Sequence, residues 1–230
     1  MTPASAPWPV VELRQYTLHP GRRDDLVELF EREFVETQEA CGMRLIGQFR
    51  DLDHADRFVW LRGFADMERR AAALGAFYGG PAWTAHRDAA NATMIDSDDV
   101  LLLRPLRPGA GFALEDAARA PVGARPPRAR LVVGLVWTTP RDTEYAGRLE
   151  RDVAAWLAQS EATSLAAFVS EHAPNTFPAL PVREDDHVVA CFAAFDDDAH
   201  WRRHCEGLAA VAPAPLQVLR LAPTARSLVR

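Results

Sequence analysis

The sequence predicts an α+β fold made of two tandem β-α-β-β-α-β units. Three observations lead there. A strand-like run ending in a turn occurs twice, as 10–18 before Pro20-Gly21 and as 130–137 before Pro140. A helical stretch follows each run, and a second strand follows each helix, over 44–50 and over 164–170. The repeat spans about half the 230 residues, which implies two similar units packed on each other rather than one continuous sheet.

Each element has a local reason. In 10–18, Val11 and Leu13 alternate with Glu12, Arg14 and Tyr16, the mark of a sheet with two different faces. After Gly21, Leu26, Phe30 and Phe34 form one helical stripe, with Glu28, Glu31 and Arg32 turned outward. Gly42 stands where a left-handed helix cap belongs. A polar turn over 51–56 leads to a third strand, 57–64, with Phe58, Trp60, Arg62 and Phe64 on one face. Asp66 is placed to cap a helix burying Met67, Ala71 and Leu74. The fourth strand is expected over 100–104, stopped by Pro105.

This is the ferredoxin-like order. The segment 107–128, rich in Pro, Gly and Ala, reads as a linker with one short helix near 114–118, and 1–9 as a loose Pro/Ala lead. The second unit repeats the order: a helix over 142–159 with Tyr145, Leu149, Val153 and Trp156 in one stripe, a third strand over 187–195, a helix carrying Trp201, Cys205 and Leu208, and a closing strand over 216–221. The units are expected at 10–106 and 129–223. They differ by an extra stretch, 77–98, in the first and a longer loop, 172–184, in the second; such insertions are where function is added.

Composition narrows the function classes. The chain is 48% hydrophobic with a net charge of −6, and all 26 of its basic residues are arginine, scattered along it, which argues against nucleic acid. No apolar run reaches membrane-spanning length and no signal pattern opens the chain, so no membrane partner is expected. Three cysteines (Cys41, Cys191 and Cys205), an odd number without a CxxC pair, point to a reducing cytoplasm and structural thiols.

Several spaced segments resemble the NIPSNAP family: Glu12-Leu13-Arg14-Gln15-Tyr16-Thr17-Leu18 with Pro20-Gly21, the run from Gly42 to Phe49, the run from Phe58 to Phe64, and Pro81-Ala82-Trp83. The likeness covers 10–105; the second half keeps the order of elements without the Glu-Leu-Arg-x-Tyr opening. The resemblance implies the dimeric α+β barrel superfamily, in which two ferredoxin-like units press their sheets together, here as a pseudo-dimeric barrel within one chain. That superfamily includes cofactor-free monooxygenases, cyclases, isomerases, haem enzymes and proteins without known chemistry, so fold alone does not assign the reaction.

The first insertion is the leading site candidate. Gly79 and Gly80 permit a bend, and Pro81 starts a helix running to about Thr93 that places Trp83, Arg87, Ala90 and Asn91 near one face, with His86 beside it. With Tyr78, these suit an apolar pocket carrying a few polar groups; the plain alternative is that Tyr78 and Trp83 are core and Arg87 pairs with a carboxylate. As an enzyme, the chain would take a small apolar or aromatic substrate without a tightly bound cofactor, for proton transfer (cyclase or isomerase) or cofactor-independent oxygenation. His86 is then the general base and Arg87 stabilises an oxyanion. Tyr16 lines the site. Arg14, with Glu12, is expected in a buried charge network that Gln48 and Arg62 either join or leave to face the ligand, and Trp60 is expected at the ligand. As a non-catalytic binding or interaction protein, the chain would have a closed, well-filled core behind Trp83. His200 and His204, four apart, lack the remaining ligands of a metal site. Haem at His172 rests on superfamily analogy alone. A homodimer is the expected assembly.

Overall fold

The computed structural model describes residues 8–114, 118–126 and 130–230. The first unit contains β1 (Val10–Leu18), α1 (Arg23–Leu29), a π-helical segment (Phe30–Phe34), α2 (Val35–Ala40), β2 (Arg44–Asp51), β3 (Arg57–Phe64), α3 (Met67–Tyr78), α4 (Pro81–Asn91) and β4 (Met94–Pro105). The second contains β5 (Leu131–Thr138), α5 (Thr143–Gln159), β6 (Thr163–Ser170), β7 (Val188–Phe195), α6 (Asp198–His204), a 3-10 turn (Cys205–Ala210) and β8 (Gln217–Pro223). The lead over 1–7 and the centre of the short helix expected near 114–118 lie outside the described residues.

One expectation is corrected. The strands form a single closed barrel, β1-β3-β2-β8-β5-β7-β6-β4, as the family resemblance implied, and not the separate sheets that the repeat alone implied. Within each half the order is the same, last strand, first, third, second, so each half ends in two open edges. Those edges find each other: β2 pairs β8 through Phe49, Arg50 and Asp51, and β4 pairs β6 through Leu103, Arg104 and Pro105. Closure leaves no unpaired ladder, which two stacked sheets would have kept.

The alternation seen in β1 now has two destinations. Val11, Leu13, Phe49, Val59, Leu61, Phe168, Phe192 and Leu219 fill the barrel interior. Phe112 and Leu114, from the supposed linker, and Leu228 and Val229, from the C-terminal segment, pack into the same core. The start of the linker, at Phe112 and Leu114, is therefore a plug. Gln15 and Gln217 exchange amide hydrogen bonds of 3.0 and 2.7 Å across the barrel. Outside the barrel, α1 to α4 cover the first half and α5 and α6 the second, each over its own apolar layer.

Local chemistry explains most boundaries. Gly42 adopts φ +94° just past α2. Asp66 accepts a 2.6 Å bond from the Arg69 amide at the start of α3. Asp66→Ala is expected to cost about 1 kcal/mol, read by urea denaturation; no change would deny the cap a part in stability. The face that α3 buries is Arg70, Ala73, Leu74 and Phe77, with Met67 and Ala71 only half-buried, a shift from the expected stripe. β4 begins at Met94, well before the expected Val100, because Asp96 and Met94 pair with Thr17 and Leu18 through bulges. Pairing with a formed neighbour overrides the poor strand propensity of Asp96, Ser97, Asp98 and Asp99.

Candidate functional site

The polar face of β1 points outward, into the layer under α1 to α4. Glu12 stands there opposite Arg62 of β3. Three guanidiniums close on its carboxylate: Arg14 Nη1 at 2.9 Å, Arg62 Nε at 2.7 Å and Arg70 Nε at 2.7 Å. All four side chains are 0% exposed. Burial alone would raise the Glu12 pKa, but the fields of Arg62, Arg14 and Arg70 together hold it well below the usual carboxylate range.

The remaining donors are distributed by the fold. Arg14 Nε donates to Tyr16 Oη at 3.1 Å. Arg62 Nη1 donates to Gln38 Oε1 at 3.1 Å. Arg70 Nη1 donates to Asn175 Oδ1 at 2.9 Å and to Thr176 Oγ1 at 3.3 Å. Asn175 and Thr176 belong to the long second-half loop, so the second half caps the first half's charge network. Arg62 Nη2 and Arg70 Nη2 have no hydrogen-bond partner among the described residues, and neither does Trp60 Nε1. The guanidinium of Arg62 lies 5.0 Å from the centre of the Trp60 ring and that of Arg14 5.7 Å from it, so cation–π attraction supplies part of what is missing.

Beside the network is a cavity of about 30 Å³, walled by Tyr16, Phe30, Phe34, Trp60, Phe77, Tyr78 and Trp83, with Gln38 at its polar edge. Phe30 and Phe34 reach it from the π-helical segment. Leu26, Phe30, Phe34 and Gln38 recur every fourth residue; a 3.6-residue turn would carry that row off the face, and the wider π turn brings it back. Phe177, from the same loop as Asn175, stacks on Tyr78 at 6.1 Å and 27°. Burial raises the Tyr16 phenol pKa.

The residues singled out by sequence separate into three groups. Tyr16, Trp60, Tyr78 and Trp83 line the cavity. Arg14 and Arg62 stand behind it in the ion network. Gln48 is fully buried opposite Trp60 on β2, its amide nitrogen and oxygen without partners, and it does not line the cavity. His86 is half-buried and turned to Glu33, 3.4 Å away. Arg87 is exposed and pairs with Asp88, and Asn91 is exposed. The polar wall expected of the α4 helix does not form, because its inward residues are Trp83, His86 and Ala90, three and four apart, and Arg87 and Asn91 fall one step outside that row.

Sequence reading missed Arg70, Gln38 and the three phenylalanines of the cavity. Arg70 left a signal: it lies three after Met67 and four before Leu74, on the apolar stripe of α3, where a charge needs a buried partner. Asn175 and Phe177 lie in the longer loop, 172–184, where no local periodicity marks them.

The second half has no counterpart. Counting from the matched pairs Val10–Phe64 and Leu131–Phe195, Val133 and Ala193 stand where the first half has Glu12 and Arg62, Leu135 and Cys191 stand for Arg14 and Trp60, and Trp137 and Val189 for Tyr16 and Phe58. A cleft of about 110 Å³ on its surface is lined by Arg104 of the first half and by Arg141, His172 and His187, among others. Ligand pockets for drug-sized molecules run to roughly 300–1,000 Å³, and His172 lies on the rim against His187, ring centres 4.6 Å apart. A haem at His172 finds no support in that cleft. His200 is committed to the Ser160 carbonyl at 2.6 Å, and no cluster of three or more metal-ligating side chains exists among the described residues. The Cys191 thiol, deeply buried, is pushed up to about 12 and is inert.

The NIPSNAP family model matches residues 11–108. An uncharacterised NIPSNAP-like domain protein from Burkholderia xenovorans is 30% identical over 42% of this chain and 84% of its own, with a TM-score of 0.39. Two structures align along the whole length. One is a protein from Fusobacterium nucleatum named as a candidate monooxygenase, with a TM-score of 0.59, 9% identity, and 94% of this chain and 93% of that one covered. The other is a mutant chlorite dismutase from Candidatus Nitrospira defluvii in complex with cyanide, with a TM-score of 0.53, 14% identity, and 95% and 92% covered. At such identities these two bear on the fold alone. A search of curated proteins finds no match.

Proposed function

Through residues 11–108 the chain belongs to the NIPSNAP family, and from that premise we propose that it is a small-molecule-binding protein whose ligand enters the aromatic layer of its first unit. The units are those read from sequence, a NIPSNAP domain at 10–106, a connector at 107–128 and a divergent second domain at 129–223. Their identical strand orders support a tandem ferredoxin-like origin. Three free cysteines are in keeping with a cytoplasmic setting.

One observation carries the binding reading. The cavity walled by Tyr16, Trp60 and Trp83 is an aromatic enclosure with the polar groups of Tyr16 and Gln38 at its edge, both tied to the buried arginine network behind it. At about 30 Å³ it holds a water-sized group, so a larger ligand must displace its outer wall. Trp83, Tyr78 and Phe177, all half-buried, form that wall.

Enzyme action is the second reading, and Tyr16 is the observation that favours it. Its oxygen already accepts from Arg14, leaving the hydroxyl proton free to be donated into the cavity. Cofactor-independent proton transfer would therefore run through Tyr16 rather than His86 and Arg87, which line no part of the cavity. The small closed cavity weighs toward binding over turnover.

Calorimetric titration with benzoate and with benzamide tests the binding reading. At least one is expected to bind, His86→Ala and Arg87→Ala to bind it unchanged, and Ala90→Phe, which fills the cavity, to bind it at least tenfold more weakly. Full affinity in a folded Ala90→Phe variant, or no binding of either probe to the wild type, would sink it.

A further inference from the structure

We infer that the cavity selects a ligand with an anionic oxygen group, an aromatic or apolar carboxylate or its enolate equivalent, held at the polar edge formed by Tyr16 and Gln38. The inference rests on the binding reading above and adds the charge of the ligand. It follows from counting donors and acceptors. Tyr16 Oη accepts from Arg14, so its hydroxyl is left to donate. An arginine can only donate, so the Gln38 oxygen faces Arg62 and the Gln38 NH₂ is left to donate. Two side chains at the polar edge, Tyr16 and Gln38, thus offer hydrogens, and the oxygen of each is already engaged.

Charge points the same way. Three buried guanidiniums share one buried carboxylate, and two Nη2 groups stay unpartnered. An uncompensated buried cation is costly unless a counter-charge comes near. Arg14 and Arg62 reach the cavity edge through Tyr16 and Gln38, so a bound oxyanion would be held by polarised donors rather than by a bare ion pair. A cationic or donor-only ligand would leave every one of these hydrogens unpaired.

The test compares benzoate with benzamide, which share shape and differ in charge. Benzoate is expected to bind at least tenfold more tightly. Tyr16→Phe removes one donor and is expected to lower benzoate affinity about tenfold while moving benzamide much less. Gln38→Glu keeps an acceptor for Arg62 but removes the amide hydrogens, and is expected to weaken benzoate selectively; melting curves verify that both variants are folded. Equal affinity for the two probes overturns the inference and leaves the binding reading standing. Binding of neither removes both. Selective benzoate binding that survives both substitutions places the anion elsewhere and overturns the inference as well.

Discussion

Replacing Glu12 by Gln is expected to destabilise the fold by about 3–5 kcal/mol, the usual cost of removing one partner from a buried ion network. The figure is large because three guanidiniums, all 0% exposed, depend on that carboxylate. The pH dependence has a definite sign. The folded-state pKa of Glu12 is depressed, so the stability it contributes is fully present above the unfolded value of about 4.3 and is lost as pH falls from there toward the folded value. Urea denaturation should show a constant gap between wild type and Glu12→Gln from about pH 5 to 8, closing below about pH 4.3. Glu36 and Asp53, also held low by arginine, titrate in the same region, but they are common to both proteins and cancel in the difference. A gap that stays constant down to pH 2 would mean the carboxylate is not what holds the three arginines.

Phe192→Ala should cost about 3–5 kcal/mol by leaving a void in the barrel interior. Phe192 is fully buried on β7, with Phe112 5.4 Å and Phe168 6.1 Å away between ring centres. Its position makes the result informative beyond the number. The interior draws on both halves, so a lesion in the second should lower the stability of the first equally. Fluorotryptophan NMR can follow Trp60 and Trp83 in one half and Trp137, Trp156 and Trp201 in the other. All are expected to lose native signal in one coincident transition; Trp60 and Trp83 outlasting the others would show two separable domains.

Much of the fold was legible because its causes are local. The β1 alternation, the Asp66 cap and the left-handed Gly42 are each written within a few residues, and their boundaries were read closely. Barrel closure was legible only through the family resemblance, because the pairing of Phe49 to Asp51 with Leu221 to Pro223 leaves no mark on either strand. The site was legible in the same proportion. Glu12, Arg14 and Tyr16 announced themselves as polar groups on a strand bound for burial. Arg70 and Asn175 meet only after two distant segments have folded together, and helical spacing cannot say how far a face will rotate, which is why Arg87 and Asn91 were assigned inward.

The barrel is joined along two seams of three residue pairs each, β2 with β8 and β4 with β6, whereas β5 and β7 are matched over eight. Those seams are the shortest ladders of the barrel, and they alone join the halves by strand pairing. A half that has let go of its neighbour presents two bare edges of the right register for the corresponding half of another copy. Reciprocal exchange would rebuild the same barrel from two chains, with every internal contact kept and only the connector rerouted.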